Sequence, residues 1–214
     1  MLLNNNMIII PLGIQCSVPD AIKNANLRQE TYMFDWLWTP SKTVFNILSI
    51  LLHQNIDKTI DYMTTDYKYY TYLGNERYVI NHNHITECQM NKNTGLGITH
   101  YIINDEFKAK LRRRLNRFLD KLKSNEKILF IYADCASPSK NYYIDDINFG
   151  INASNDLHNI YNLLSHFNKN IEIIYFCWNE HYKNDSIIKH ISFDYKNHWS
   201  DVSEIIKNYL LCKN

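Results

Sequence analysis

The sequence predicts an α/β fold, a three-layer sandwich with a mostly parallel central sheet flanked by helices, and three observations carry that expectation. Three short runs, "MIIIPLG", "KILFIYA" and "IEIIYFCW", are continuously apolar rather than alternating, as strands buried on both faces are. Around them lie longer segments whose apolar residues recur at helical spacing. "KILFIYA", "SNDLHNIYNLLSHF" and "IEIIYFCW" follow one another as strand, helix and strand, an order that implies a right-handed crossover and a parallel pair.

Taken in order, "MIIIPLG" is a β-branched run ended by Pro11 and Gly13 and reads as the first strand. "SVPDAIKNANLR" reads as a helix, with Ser17 as N-cap, Pro19 near its start, and Val18, Ala21, Ile22 and Ala25 on one side. "SKTVFNILSILLHQ" places Val44, Phe45, Leu48, Leu51 and Leu52 at helical spacing, so a second helix runs from about Ser41 to His53. From about 55 to 95 the chain is polar and Tyr-rich, which predicts an irregular insertion with short extended pieces at "RYVI" and "HITECQM". "GLGITHYI" adds a short strand entered through Gly95 and Gly97.

The next helix is the most strongly patterned. "NDEFKAKLRRRLNRFLDKLKSNEK" carries Phe107, Leu111, Leu115, Phe118 and Leu122 on one stripe, with acids at its front and cations later, as the helix dipole favours. In "SNDLHNIYNLLSHF" the stripe is Leu157, Ile160, Tyr161, Leu164 and Phe167. "HISFDY" and "SDVSEIIKNYLL" supply another strand and a closing helix. No repeat or linker divides the chain, so residues 1–214 are expected to form one domain.

Composition narrows the function. At 214 residues and 45% hydrophobic, the chain can bury one sizeable core. Lys+Arg 23 against Asp+Glu 22 leaves a formal charge of +1, too little to draw the protein to nucleic acid or to an anionic membrane. The five cysteines are widely spread, without any C-x-x-C pair, which disfavours a disulfide framework and a structural zinc site and fits a reducing compartment. "MLLNNNMIIIPLG" lacks the features of a signal sequence, and no stretch approaches the roughly 20 apolar residues of a membrane span. A soluble cytoplasmic protein without cofactor, metal or membrane partner is expected.

The chemistry centres on Cys16. It falls where the first strand hands over to a helix, and in an open parallel sheet the carboxyl ends of the strands are the working edge. A thiol at a helix N-terminus lies near unpaired N–H groups that favour thiolate and can hold an oxyanion. Position alone leaves the opposite reading open, a cysteine that fills apolar space.

A resemblance bears on that choice. Leu12, Gly13 and Cys16, then Leu27 and Arg28, then Phe34, Asp35 and Trp36 resemble the N-terminal signature of a family described as papain-like cysteine peptidases. That signature runs Leu-Gly-x-x-Cys, a helix ending in Leu-Arg, then Pro-Phe-Asp-Trp; Met33 stands here in place of the proline. "GITHYI" is similar to the family's apolar-x-His segment, and "EFKAKLRRRLNRFLDKLKSNEKILFIYA" to its Arg-rich helix and following strand. The resemblance reaches about Ala133.

It implies Cys16 as nucleophile and His100 as general base, acting on a peptide or small acyl substrate, with Arg28 and Trp36 as substrate-binding residues. A third group usually orients the imidazole. Asp35, between two aromatics that would keep a carboxylate partly dry, is the candidate, unless it only caps a turn or pairs with Arg28. Asp134 is its rival at another strand end. A papain-type layout sets its cysteine on a helix and its histidine on a mainly antiparallel sheet, whereas the apolar runs here put a parallel strand before Cys16.

Other features carry competing readings. His82 and His84 would share a strand face and could supply the base in place of His100, or with Cys88 a metal site, though no acidic partner stands at a telling spacing. Arg112, Arg113, Arg114 and Arg117 form a phosphate-holding cluster or, on a neutral chain, a solvated helix face. Trp36, Trp38, Trp178 and Trp199 line a groove or fill the core. Gly13 lacks the further glycines and lysine of a phosphate loop. Besides a thiol hydrolase or deamidase, a nucleotide- or sugar-dependent transferase on a Rossmann-like fold and a non-catalytic binding module fit the pattern.

Overall fold

Proline has no N–H to give a neighbouring strand, so a strand containing Pro11 belongs at a sheet edge. The computed structural model describes residues 7–13, 16–65, 67–71, 87–91, 94–98, 101–133, 143–144, 147–148, 153–177, 186–193 and 199–212. Its elements in order are β1 (Ile8–Gly13), α1 (Ser17–Asn24), β2 (Leu37–Trp38), α2 (Ser41–His53), α3 (Ile56–Thr64), β3 (Tyr67–Thr71), β4 (Glu87–Asn91), β5 (Gly97–Ile98) and α4 (Asp105–Lys123). They continue as β6 (Ile128–Ala133), β7 (Tyr143–Ile144), β8 (Ile147–Asn148), α5 (Ser154–Ser165), β9 (Ile171–Cys177), β10 (Ile188–Ser192) and α6 (Trp199–Leu211).

The main sheet has the order β1-β6-β9-β10 with every pairing parallel, and β1 lies at its edge. Its register sets Ile10 against Phe130 and Phe130 against Ile173. Because strand side chains alternate between faces, one apolar run supplies two cores. Ile10, Leu12, Phe130 and Tyr175 pack with α2, α4 and α5, while Ile9, Ile131, Ala133 and Phe176 pack with α1 and α6. The fold is therefore an α/β sandwich of three layers, with helices covering both faces.

Beside it stands a second sheet, antiparallel, in the order β2-β5-β4-β3, while β7 and β8 pair as a short antiparallel ribbon. The stretch expected to be irregular from 55 opens instead with a helix, α3. Asn55 caps it by accepting from the Lys58 N–H at 2.9 Å, and Thr59, Ile60 and Met63 are its buried side. Three apolar or small residues on one short stripe are easily lost among polar neighbours. The described part of "HITECQM" lies in β4, as expected, and "RYVI" lies outside the described residues.

Two further boundaries differ from expectation. Cys16 rather than Ser17 takes the N-cap position of α1, and Ser17 is the first helical residue. Helix α5 stops at Ser165, so Phe167 leaves the stripe and stands 42% exposed. Among the described residues no helix is long and apolar enough to cross a membrane, and no group of three or more His, Cys, Asp or Glu could hold a metal ion.

Candidate functional site

Strand β1 ends against the segment that leads into α2. Gly13 has φ +129°, and a Cβ built on it would lie 2.6 Å from the Thr39 carbonyl oxygen, so only glycine permits this approach. Three residues on, Cys16 begins α1 with φ −63° and ψ −15°, its carbonyl accepting from the Asp20 N–H at 3.0 Å. Its side chain does not cap the helix. The thiol is part-buried and in no disulfide, whereas Cys177, at the matching end of β9, is fully buried.

Of the two readings that position leaves open for Cys16, its ionisation sides with the buried one. Burial pushes the thiol up to about 12; an N–H of its own backbone pulls the other way, and the Asp20 carboxylate adds to the rise. An eight-residue helix offers a short dipole, and Asp20 in its first turn offsets part of it. Loss of water outweighs both. The thiol is neutral at rest.

The second part of the site forms around Asp35. Its carboxyl Oδ2 pairs with Arg28, whose guanidinium also donates to Thr31 Oγ1 at 3.3 Å and lies 5.5 Å from the centre of the Trp36 ring. Asp35 is 1% exposed, and Oδ1 has no hydrogen-bond partner among the described residues. Burial raises its carboxyl to about 6, against the pull of Arg28, Arg114 and Arg117. Trp36 is part-buried with φ 66°, a left-handed backbone that a bulky side chain seldom adopts. Arg28 and Trp36, expected to hold substrate, are thus joined to Asp35 and to each other.

Helix α4 closes the site from behind. Arg112 and Arg113 are exposed, and Arg112 pairs with Asp57 on α3, as a solvated face would. Arg114 is 7% exposed and points the other way, its Nη1 donating to the Asp35 carbonyl at 3.2 Å and its Nη2 to the Tyr101 hydroxyl at 2.9 Å. Arg117 donates to the Thr31 carbonyl and pairs with Glu30 at 3.3 Å. The sequence reading treated the four arginines as one cluster. The spacing of Leu111, Arg114, Leu115 and Phe118 would have placed Arg114 on the buried stripe.

His82, His84, His100 and Asp134 lie outside the described residues, as does Trp178, and the side chains of Cys88 and Trp199 are likewise not described. On either side of His100 in the chain, Ile98 and Tyr101 are described. Ile98 pairs across the antiparallel ladder with Leu37, two residues from Asp35, and Tyr101 holds the Arg114 hydrogen bond.

Residues 7–171 match a family described as "putative papain-like cysteine peptidase". The chain belongs to this family. The papain-like family match runs from just before β1 to the first residue of β9 and so includes Cys16, Arg28, Asp35, Trp36, His100 and Arg114. No curated protein and no solved structure matches the chain.

Proposed function

We propose that the protein is a thiol-dependent hydrolase in which Cys16 attacks an acyl carbon, His100 moves the proton and Asp35 orients the imidazole. The observation that carries this reading is the placement of Cys16. It is a part-exposed thiol at the carboxyl end of a parallel strand and the start of a helix, within the family-matched stretch. Asp35 supports it, because a buried carboxylate with one oxygen on Arg28 and the other uncommitted suits an imidazole N–H.

A neutral resting thiol sets the order of events. His100 takes the thiol proton as the S–C bond forms and the carbonyl electron pair moves onto oxygen, where N–H groups of the first turn of α1 can meet it. Collapse breaks the bond to the leaving group, which receives the proton from the imidazolium. Water then cleaves the thioester with the same base. Trp36, part-exposed beneath Arg28, offers an apolar flank for a peptide or small acyl substrate.

A panel of peptide, amide and ester substrates tests this. Cys16→Ala removes the activity found, while Cys212→Ala, at an exposed position, leaves it. Activity that survives Cys16→Ala overturns the proposal.

A further inference from the structure

Burying a guanidinium is costly, and the cost is usually met by a carboxylate. Arg114 is 7% exposed, and the Asp35 carboxyl feels its charge, yet its hydrogen bonds among the described residues go to neutral oxygens, the Asp35 carbonyl at 3.2 Å and the Tyr101 hydroxyl at 2.9 Å. For a purely structural purpose an apolar residue on this stripe of α4 would serve at lower cost. A planar fork with fixed donor directions does something else: it sets the spacing between two backbone segments.

Those segments are the ones that carry the orienting carboxylate and the base of the proposed reaction. Residues 35–38 and 97–101 are joined on one side by the β2–β5 ladder, with Leu37 opposite Ile98 and Trp38 opposite Gly97. They are joined again by Arg114, which grips residue 35 and residue 101 at once. Tyr101 is itself held, stacked on Phe107 with ring centres 5.1 Å apart and covered by the Lys110 ammonium at 4.5 Å. In the sequence His100 stands between the two fastenings.

We infer that Arg114 is a positioning residue that couples Asp35 to His100 by clamping the backbone of residue 35 to the side chain of Tyr101. The inference rests on the Asp35 and His100 roles proposed above. Arg114 touches no reacting atom in this scheme and acts through the two segments it joins.

The test is a double-mutant cycle read by the NMR titration of the His100 ring, its signal assigned with His100→Gln, and needs no substrate. In the otherwise unaltered protein, Asp35→Asn should lower the His100 midpoint by about one pH unit, because a carboxylate near an imidazolium favours the charged ring. In an Arg114→Lys background, which keeps the charge and loses the fork, the same substitution should lower it by less than half as much. Tyr101→Phe removes one arm of the clamp and should also shrink the shift; it stands in where Arg114→Lys does not fold by circular dichroism. An undiminished shift in both backgrounds overturns the positioning role while leaving the hydrolase reading intact. No shift in the unaltered protein removes the acid–base pairing itself.

Discussion

In the proposed reaction two side chains decide the chemistry, and in both the loss of water outweighs the nearby charges. Cys16 sits at a helix start yet stays a thiol because it is part-buried beside Asp20. Alkylation by iodoacetamide should therefore be slower at Cys16 than at exposed Cys212 at pH 7.5, and the Cys16 rate should still be rising past pH 9. A rate that levels off below pH 8 would mean a stabilised thiolate instead. For Asp35 the folded protein raises the carboxyl from its ordinary range to about 6. The protonated form is favoured by folding, so this group's contribution is fully present below about pH 4 and is lost as pH rises through 6. The melting temperature of the unaltered protein, compared with Asp35→Asn, should fall between pH 4.5 and pH 7; an opposite slope would contradict the assignment. The place of Cys16 after the first strand and the pairing of Asp35 with Arg28 were legible, the first from its position after an apolar run and the second as an alternative raised with the family resemblance. Their ionisation was not, because it depends on what other segments fold over them.

At the scale of elements, the long patterned helices and the continuous apolar strands were legible because each carries enough periodic residues to declare its own geometry. Helix α4 runs from Asp105 to Lys123, as its stripe predicts, and Asn104 caps it by accepting from the Phe107 N–H at 2.9 Å. Helix α3 and the two-residue strand β2 were missed, while β5 falls within the strand expected at "GLGITHYI"; nine residues with three on the buried side, or one residue pair, carry too little pattern to read. Their existence is decided by partners distant in sequence, as in the pairing of Leu37 with Ile98. The junction between β1 and α2 is where local and long-range demands meet. Gly13→Ala would set a Cβ 2.6 Å from the Thr39 oxygen at φ +129°, and should cost at least about 2 kcal/mol in urea unfolding. A loss under about 0.5 kcal/mol would show that this approach is not needed.

Across the whole molecule, two sheets divide the work. The parallel sheet delivers Cys16 at the end of its edge strand, with a core on each face to hold it rigid. The antiparallel sheet pairs the segment after Asp35 with the segment before His100, and α4 ties the two together through Arg114. The three-layer class was legible from the apolar runs and the helices between them; the second sheet was not, because its strands are two to five residues long and their pairing joins distant stretches of chain. In the proposed reaction reactivity is assembled from distant parts of the chain, and simple exposure does not rank the cysteines toward a substrate-like reagent. Peptide mapping after brief treatment with a peptidyl acyloxymethyl ketone, which presents a carbonyl to an activated thiol, tests that most directly. The account expects the adduct first on Cys16, with His100→Ala slowing it by at least about 10²-fold. An adduct that forms first on exposed Cys212, with Cys16 left unmodified, would contradict it.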